Sequence, residues 1–288
     1  MNIRTNLLRE IKQQYQKELS AVYGEQEAGS LMNVLISHFF SLSRVDLSLK
    51  PDFRLSETEI LKLHFAVKDL KKEKPVQYII GESEFFGLKL KVTPNVLIPR
   101  PETEEMIELI VKDNLDKEKL KILDIGTGSG CIALALKKKL PSFLVTAIDV
   151  SEGALEVAKG NCILNKLDIE LKQLDILDVS RWQELGQFDL IVSNPPYVTE
   201  DDKTLMKKNV TGFEPHLALF VTNEDPLLFY RVITEFAVDH LIGGGSLWFE
   251  INENLGDEVV KLLQEKGFNN IALHSDLYGK VRFASSVR

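Results

Sequence analysis

Apolar side chains in the first 75 residues recur at spacings of three and four, the period of an amphipathic helix. They form two series: Ile3, Leu7, Leu8, Ile11, Tyr15 and Leu19, then Leu31, Leu35, Ile36, Phe39 and Phe40. A third helix is predicted after Ser56, because Glu59 completes a capping box ahead of an apolar run. Pro75 ends that helix, since proline cannot continue one. We therefore predict a helical domain over residues 1–75.

The period changes between residues 76 and 102. Residues 84–92 alternate apolar and polar positions around Gly87, which predicts a β-hairpin. Residues 96–104 then combine two prolines with an acid-rich helix start. We predict a β-hairpin linker over residues 76–102, leading into a second domain.

From residue 103 onward, apolar strands alternate with helical segments. The predicted strands lie at residues 121–125, 144–149, 169–175, 188–193, 246–251, 270–275 and 280–286, with helices starting near 104, 131, 151, 226 and 255. Near-continuous apolar strands separated by helices indicate a parallel sheet covered on both faces. Only a short turn near Gly279 joins the last two strands, so one of them must run antiparallel. We predict an α/β domain over residues 103–288, with a seven-stranded sheet whose last strand is antiparallel.

Composition narrows the class of protein. The chain is 44% hydrophobic and 27% charged, which is typical of a soluble globular protein. No apolar run approaches the ~20 residues of a membrane span. The first residues are too polar for a signal peptide, so we expect a cytoplasmic protein; mitochondrial targeting is the alternative, with two early acids against it.

Charge and metal-binding residue types exclude further classes. The net charge of −8 and the lack of a long basic run argue against stable nucleic-acid binding. The two cysteines and five scattered histidines have no metal-ligand spacing, so no metal is expected.

A glycine-rich loop follows the first strand of the predicted sheet. It consists of Asp124, Ile125, Gly126, Thr127, Gly128, Ser129 and Gly130. Glycines there permit a tight turn and a close approach of ligand to backbone. Asp149 ends the next strand, nineteen positions after Gly130, and can accept hydrogen bonds from ribose hydroxyls. Asp175 ends the third strand and can face an adenine amino group. Ligands bind at these strand ends in open α/β sheets.

Two cofactors are alternatives for this loop: a nicotinamide dinucleotide and S-adenosylmethionine. A nicotinamide fingerprint needs glycines at relative positions one, three and six. Here position six is Cys131 and the third glycine comes at position five. The spacing, preceded by Asp124, suits S-adenosylmethionine, which has no pyrophosphate to place on a helix N-terminus. We therefore predict S-adenosylmethionine as the cofactor.

The segment Asn194-Pro195-Pro196-Tyr197 ends the fourth predicted strand, beside the proposed cofactor site. The prolines fix their own φ angles and hold Asn194 extended, so the segment is rigid. The Asn194 oxygen and the Pro195 carbonyl can accept the two hydrogens of an NH₂ group, and Tyr197 offers an aromatic face. Such a grip would orient the weakly nucleophilic lone pair of an amide toward a methyl donor. This arrangement predicts methylation of a planar amide or amine nitrogen.

With these motifs, the chain resembles the release-factor glutamine N5-methyltransferases, the PrmC/HemK family. The shared motifs are Gln77-Tyr78-Ile79-Ile80-Gly81, Phe86-Gly87, Leu97-Ile98-Pro99-Arg100-Pro101-Glu102-Thr103-Glu104, the glycine loop, Asn194-Pro195-Pro196-Tyr197, and Glu214-Pro215 with Ala218-Leu219. The NPPY segment also occurs in DNA adenine and ribosomal-protein methyltransferases, whereas LIPRPETE is far more specific.

The resemblance implies a class I methyltransferase fold behind a small N-terminal helical domain. It also implies methylation of the glutamine of a Gly-Gly-Gln motif in class I release factors, met as transient protein partners. By resemblance, Asp124, Gly126 to Gly130, Asp149 and Asp175 hold the cofactor, with Ile176 beside the adenine and Asn194 also in contact with the cofactor. Asn194 to Tyr197 hold the glutamine, and Leu97 lines its pocket.

Three alternatives stay open at this level. They are a ribosomal-protein glutamine methyltransferase, a nucleic-acid adenine methyltransferase, and a binding module that keeps only the fold. Arg100 and Glu102 are expected either to contact cofactor or substrate, or to pair with each other. Glu214 either orients a substrate loop or is a solvated loop acid.

Overall fold

The computed structural model describes residues 5–204 and 206–288, and the chain divides into two compact units. The first unit comprises residues 5–81 with Lys207–Phe213, and the second comprises residues 82–206 and 214–288. Ile3, which the sequence assigns to the first helix, lies outside the described residues. The finer division at residues 75 and 102 stays a prediction.

The helices of the described chain are α1 (Leu8–Tyr23), α2 (Glu25–Phe40), α3 (Arg44–Leu49), α4 (Glu57–Leu70), α5 (Val76–Ile80), α6 (Pro101–Asn114), α7 (Cys131–Lys139), α8 (Glu152–Asn165), α9 (Glu200–Lys203), α10 (Lys208–Thr211), α11 (Leu228–His240) and α12 (Gly256–Glu265). The strands are β1 (Glu82–Phe85), β2 (Leu88–Lys91), β3 (Lys121–Ile125), β4 (Leu144–Asp149), β5 (Glu170–Gln173), β6 (Phe188–Ser193), β7 (Val198–Thr199), β8 (Phe220–Val221), β9 (Leu241–Glu250), β10 (Asn269–Ser275) and β11 (Val281–Val287). No helix of the described residues is long and apolar enough to cross a membrane.

The first unit is helical around its own apolar core. The predicted stripe of α1 is buried at Leu8, Ile11, Tyr15 and Leu19, packed with residues of α2 and α4. The capping box of α4 is confirmed: the Ser56 hydroxyl accepts from the Glu59 amide, and the Glu59 carboxylate accepts from the Ser56 amide.

Three short helices of this unit were not predicted from the sequence: α3, α5 and α10. The helix α3 follows a second capping box, at Ser43 and Asp46, but its six residues are too few to show a period. The helix α5 lies inside the segment predicted as linker and ends at Gly81, whose φ of +74° suits glycine.

The second unit contains the predicted seven-stranded sheet, in the order β10-β11-β9-β6-β3-β4-β5. Strands β9, β6, β3, β4 and β5 are parallel neighbours, and β11 is antiparallel to both β9 and β10. The prediction of an antiparallel last strand is thus confirmed. Two strand bounds differ from prediction by more than one residue. Strand β5 ends two residues before Asp175, and β9 begins at Leu241 because a glycine run continues the strand backbone without an apolar pattern.

The sheet is buried on both faces, as its apolar runs require. One face packs against α11 and α12, through residues such as Tyr230, Phe236 and Leu263. The other packs against α6 and α7, and it includes Phe85, Leu88 and Leu90 of the β1–β2 hairpin. The hairpin is therefore part of the core of the second unit.

A single buried asparagine joins the hairpin to the glycine loop. Asn161 of α8 accepts from the Lys91 amide at 2.6 Å, and its NH₂ donates to the Lys91 and Ser129 carbonyl oxygens at 3.0 and 2.9 Å. The side chain has no solvent exposure. Strand β2, helix α8 and the loop after β3 are thereby fixed together.

Candidate active site

A cavity of about 220 Å³ opens at the carboxyl ends of β3, β4 and β6. This is the edge where side chains that follow parallel strands converge. The predicted site residues that line it are Leu97, Gly126, Thr127, Gly128, Ser129, Asp149, Asp175, Ile176, Asn194, Pro195 and Pro196. Asp124, Gly130 and Tyr197 are not among the lining residues.

The glycine loop forms the floor of this cavity through its backbone conformation. Gly126 and Gly128 have φ angles of +74° and +55°, and a Cβ atom added to either would meet no atom within 4 Å. The amides of Gly126 and Thr127 donate to the Ile148 carbonyl, which ties the loop to β4. The loop therefore presents bare backbone to whatever occupies the cavity.

Gly130 has a packing role instead. Its φ is +80°, and an added Cβ would lie 3.3 Å from the Cβ of Ala158 on α8. The residue caps the N-terminus of α7 and lets α7 and α8 approach closely. Its predicted contact with the cofactor stays a prediction.

The Asp124 side chain stabilises the glycine loop through a hydrogen bond from Thr127. Its carboxylate is fully buried and accepts the Thr127 hydroxyl at 2.6 Å. Burial raises the pKa of Asp124 to about 7, which the hydrogen bond from Thr127 only partly offsets. The arrangement fixes the turn of the loop rather than presenting a charge to the cavity.

The Asp149 carboxylate lines the cavity and can accept hydrogen bonds from a ligand there. It accepts from the amides of Gly128 and Ser151 at 2.8 and 2.9 Å, and lone pairs remain for a ligand. Burial raises its pKa above the ordinary value, while those backbone hydrogen bonds lower it. Beside it, Ile148, Leu174 and Ile176 give an apolar wall. Asp175 is also in the lining and accepts from the Leu177 amide at 2.9 Å.

These features fit S-adenosylmethionine. A carboxylate suits the ribose hydroxyls, apolar side chains suit a flat adenine, and two glycines leave space where side chains would intrude. Among the described residues, no group of three or more His, Cys, Asp or Glu side chains is placed to hold a metal ion.

The Asn194–Tyr197 segment follows β6 and contributes to the lining of the same cavity. Asn194, Pro195 and Pro196 are in the lining, whereas the Tyr197 ring packs against the core beside α11. The Tyr197 hydroxyl lies 3.5 Å from Glu250, a long hydrogen bond in which Tyr197 donates. Burial, together with the charge of Glu250, raises the pKa of Tyr197, which therefore stays protonated.

Glu250 is the site residue that the sequence analysis missed. It ends β9, is 4% exposed and accepts the Thr103 hydroxyl at 2.6 Å. The neighbouring Asn194 side chain lowers the pKa of Glu250 as a hydrogen-bonding partner. Burial raises its pKa to about 6, although these hydrogen bonds lower it. The signal was present: like Asp124 and Asp149, it is an acid in or after an apolar strand.

The roles left open for Arg100 and Glu214 are resolved in part. Arg100 pairs with Glu214 at 2.6 Å, not with Glu102. Glu214 also accepts from the Ile98 amide at 3.2 Å and is 4% exposed, so it is not a solvated loop acid. The pair joins the segment containing Leu97 to the loop at Pro215, and both segments line the cavity.

Comparison with known proteins gives consistent matches. Residues 105–217 match the family described as Methyltransferase small domain, and residues 10–81 match the PrmC N-terminal domain. The chain is 48% identical over 280 residues to a protein of Flavobacterium psychrophilum named Release factor glutamine methyltransferase, covering 96% of this chain and 97% of the relative. A protein of the same name from Bacteroides thetaiotaomicron is 40% identical over 272 residues, covering 94% and 97%.

Two solved structures share the fold. A methyltransferase from Pyrococcus furiosus has a TM-score of 0.52 at 22% identity, covering 81% of this chain and 98% of its own. The T. thermophilus 16S rRNA N2 G1207 methyltransferase, solved with AdoMet and guanosine, has a TM-score of 0.52 at 17% identity, covering 72% and 49%. The predicted class I S-adenosylmethionine-dependent methyltransferase fold is confirmed.

Proposed function

The chain belongs to the release factor glutamine methyltransferase family, and from that premise we propose its substrate and the roles of its residues. It transfers a methyl group from S-adenosylmethionine to the side-chain amide N5 of the glutamine in the Gly-Gly-Gln motif of class I release factors. Release factors act on ribosomes, so the proposal implies a cytoplasmic protein and a transient encounter with its substrate.

One observation carries this proposal: Asn194 and Pro195 line the same cavity as the glycine loop and Asp149. Gly126, Gly128, Asp149, Asp175 and Ile176 hold the cofactor. When bound, it supplies an electrophilic methyl carbon on a sulfonium and leaves as S-adenosylhomocysteine. Asn194 and Pro195, which line the same cavity, hold the acceptor nitrogen within reach of that methyl group.

Asn194 and Pro195 orient the substrate amide. The Asn194 side-chain oxygen accepts one hydrogen of the glutamine NH₂, and the Pro195 carbonyl accepts the other. Among the described residues, no hydrogen bond uses the Pro195 carbonyl oxygen, which supports its role as a ready acceptor. Two fixed acceptors hold the nitrogen lone pair on the attacking line, and this positioning can lower a barrier by several kcal/mol. After the nitrogen–carbon bond forms, one amide proton leaves to solvent water.

Leu97 and Tyr197 complete the substrate pocket in this proposal. Leu97 contributes an apolar wall beside the acceptor nitrogen. Tyr197 supports the segment through its packing against the core and its hydroxyl contact with Glu250. The apolar Leu97 side chain excludes water, which would compete for the acceptors on Asn194 and Pro195.

Peptide mass spectrometry tests the proposed substrate. The purified protein, incubated with S-adenosylmethionine and a release factor, should add one methyl group to the glutamine of Gly-Gly-Gln. A release factor with that glutamine replaced by alanine should gain none. Parallel incubations contain total ribosomal protein and adenine-containing duplex DNA. Methylation of either of these, with the release factor left unmodified, would refute the assignment.

A further inference from the structure

Glu250 stands beside Asn194 because of the strand register. Strands β6 and β9 run in parallel, with Ser193 opposite Phe249. The next residue of each chain segment is Asn194 on one side and Glu250 on the other. Two residues 56 positions apart are thus brought to the same level at the edge of the cavity.

Three hydrogen-bond donors converge on the Glu250 carboxylate. The Thr103 hydroxyl donates to Oε2 at 2.6 Å, and the Tyr197 hydroxyl donates to Oε1 at 3.5 Å. The Asn194 side chain is the third partner: the register of β6 and β9 places it beside Glu250, and its interaction lowers the pKa of that carboxyl. An ionised carboxylate only accepts hydrogen bonds, so Asn194 must offer it the NH₂ group and not the oxygen.

The two orientations of an asparagine amide have nearly the same shape but opposite hydrogen-bonding character. If the Asn194 NH₂ is engaged by Glu250, its Oδ1 is the atom left for the cavity. If the amide turned over, an NH₂ group would face the NH₂ of the substrate, and two donors cannot bond to each other.

We propose that Glu250 is a positioning residue, which holds the Asn194 amide with its oxygen toward the cavity. The proposal rests on the proposed function, in which that oxygen accepts a hydrogen of the substrate NH₂. Glu250 itself need not touch substrate or cofactor, because it acts through Asn194.

Protonation of Glu250 would weaken this hold. A protonated carboxyl carries a hydrogen of its own on one oxygen. It can therefore accept fewer hydrogen bonds from the three side chains that surround it. The charged groups around Glu250 are Glu102 on α6, which raises its pKa, and Arg282 on β11, which lowers it. Arg282 is itself paired with Asp276 at 3.3 Å. Tyr197 stays neutral. We therefore expect turnover to decrease as pH falls through about 6.

A double-mutant cycle tests whether Glu250 acts through Asn194. Glu250→Gln keeps the shape but replaces one acceptor oxygen by a donor, so kcat should fall about tenfold, the worth of one oriented hydrogen bond. In the Asn194→Ala background, the same change should cost less than about twofold. Glu108→Gln, the same substitution at an exposed position of α6, is the control and should leave kcat unchanged. An equal loss of kcat in both backgrounds would overturn the proposal.

The side-chain amide of Asn194 gives a second readout that needs no activity. In the ¹⁵N-labelled full chain with S-adenosylhomocysteine, the Asn194 NH₂ signal is assigned by its loss in Asn194→Asp. It should shift with a midpoint near pH 6, and Glu250→Gln should abolish that shift. An Asn194 NH₂ signal that is the same in the unaltered protein and in Glu250→Gln at every pH overturns the positioning role, even if release factor is methylated. If the signal titrates but release factor is not methylated, the proposed substrate fails and the Glu250 contact stands.

Discussion

At the scale of single residues, backbone conformation decides what can form the floor of the cavity. Gly126 and Gly128 adopt positive φ angles, which L-residues reach only at a cost of roughly 1–2 kcal/mol. Both also face open space, where a ligand is expected to lie close to the backbone. Glycine is therefore required at these positions for two reasons: it adopts the positive φ angle, and it lets a ligand approach the backbone.

Gly128→Ala should separate these two requirements. No protein atom obstructs the new methyl group. The free energy of unfolding should therefore fall by only about 1–2 kcal/mol, the cost of the left-handed conformation. The affinity for S-adenosylmethionine should fall tenfold or more, because the methyl group enters the cavity. Calorimetric titration and thermal unfolding measure the two effects. Gly160→Ala, in the middle of α8, is the control and should stabilise by about 0.5–1 kcal/mol with unchanged affinity. Unchanged affinity in Gly128→Ala would contradict the placement of the cofactor.

Asn194→Ala should affect the acceptor side alone. Removal of the side-chain oxygen leaves the substrate NH₂ with one acceptor, so kcat should fall by about 100-fold or more, as for other preorganised polar groups. The affinity for S-adenosylmethionine should change less than about threefold, because the glycine loop and Asp149 are untouched. Steady-state kinetics and calorimetric titration give both values. Turnover equal to that of the unaltered protein would show that Asn194 has no such role.

At the scale of elements, the hairpin β1–β2 depends on α8 for its position. Asn161 satisfies both backbone groups of Lys91 and the carbonyl of Ser129 in the glycine loop. Buried polar groups that lose their partner cost about 1–3 kcal/mol each. This single side chain therefore links the order of the hairpin to the shape of the cofactor loop.

Asn161→Leu should destabilise the protein by about 2–4 kcal/mol, since three backbone groups, one buried and two partly buried, lose their partner. Affinity for S-adenosylmethionine should fall as well, because Ser129 lines the cavity. The matched control is Asn165→Ala, one turn later on α8, whose target Lys89 carbonyl stays accessible to water. Its cost should be below about 1 kcal/mol. Urea unfolding compares the two, and equal losses would refute the linking role of Asn161.

At the scale of the whole molecule, the buried acids of the second unit include Asp124 and Glu250. Burial raises the pKa of each, to about 7 and about 6. Between its ordinary pKa and the raised value, each acid keeps its proton in the folded state and loses it in the unfolded state. Their contribution to stability therefore decreases as pH rises through that window.

Asp124→Asn should remove the larger of these contributions. The stability of the unaltered protein relative to the variant should fall by about 2–3 kcal/mol between pH 5 and pH 8, at about 1.4 kcal/mol for each unit up to pH 7. Other titrating groups are common to both proteins and cancel in the difference. Urea unfolding at the two pH values measures it. A difference independent of pH would mean that Asp124 is already ionised in the folded state.

Much of the fold could be predicted from the sequence because it rests on local patterns. The long helices, the seven strands and the capping box at Ser56 all carry their signal within a few residues. The short helices α3 and α5 were missed because one or two turns show no period. The start of β9 was missed because Gly243, Gly244 and Gly245 have no side chains to alternate. At the site, the loop and NPPY residues were identified, whereas Glu250 was not.

The sequence by itself determined which segments are rigid and where the backbone has no side chain to cover it. Glycines permit positive φ angles and prolines fix φ, and both effects are local. Only the tertiary structure decided which side chains meet. Glu250 reaches Asn194 through the register of two strands, Arg100 meets Glu214 across 114 residues, and Asn161 meets Lys91 across 70. Such pairings depend on how strands and helices pack. The number of residues between two positions does not reveal the distance between their side chains in the fold.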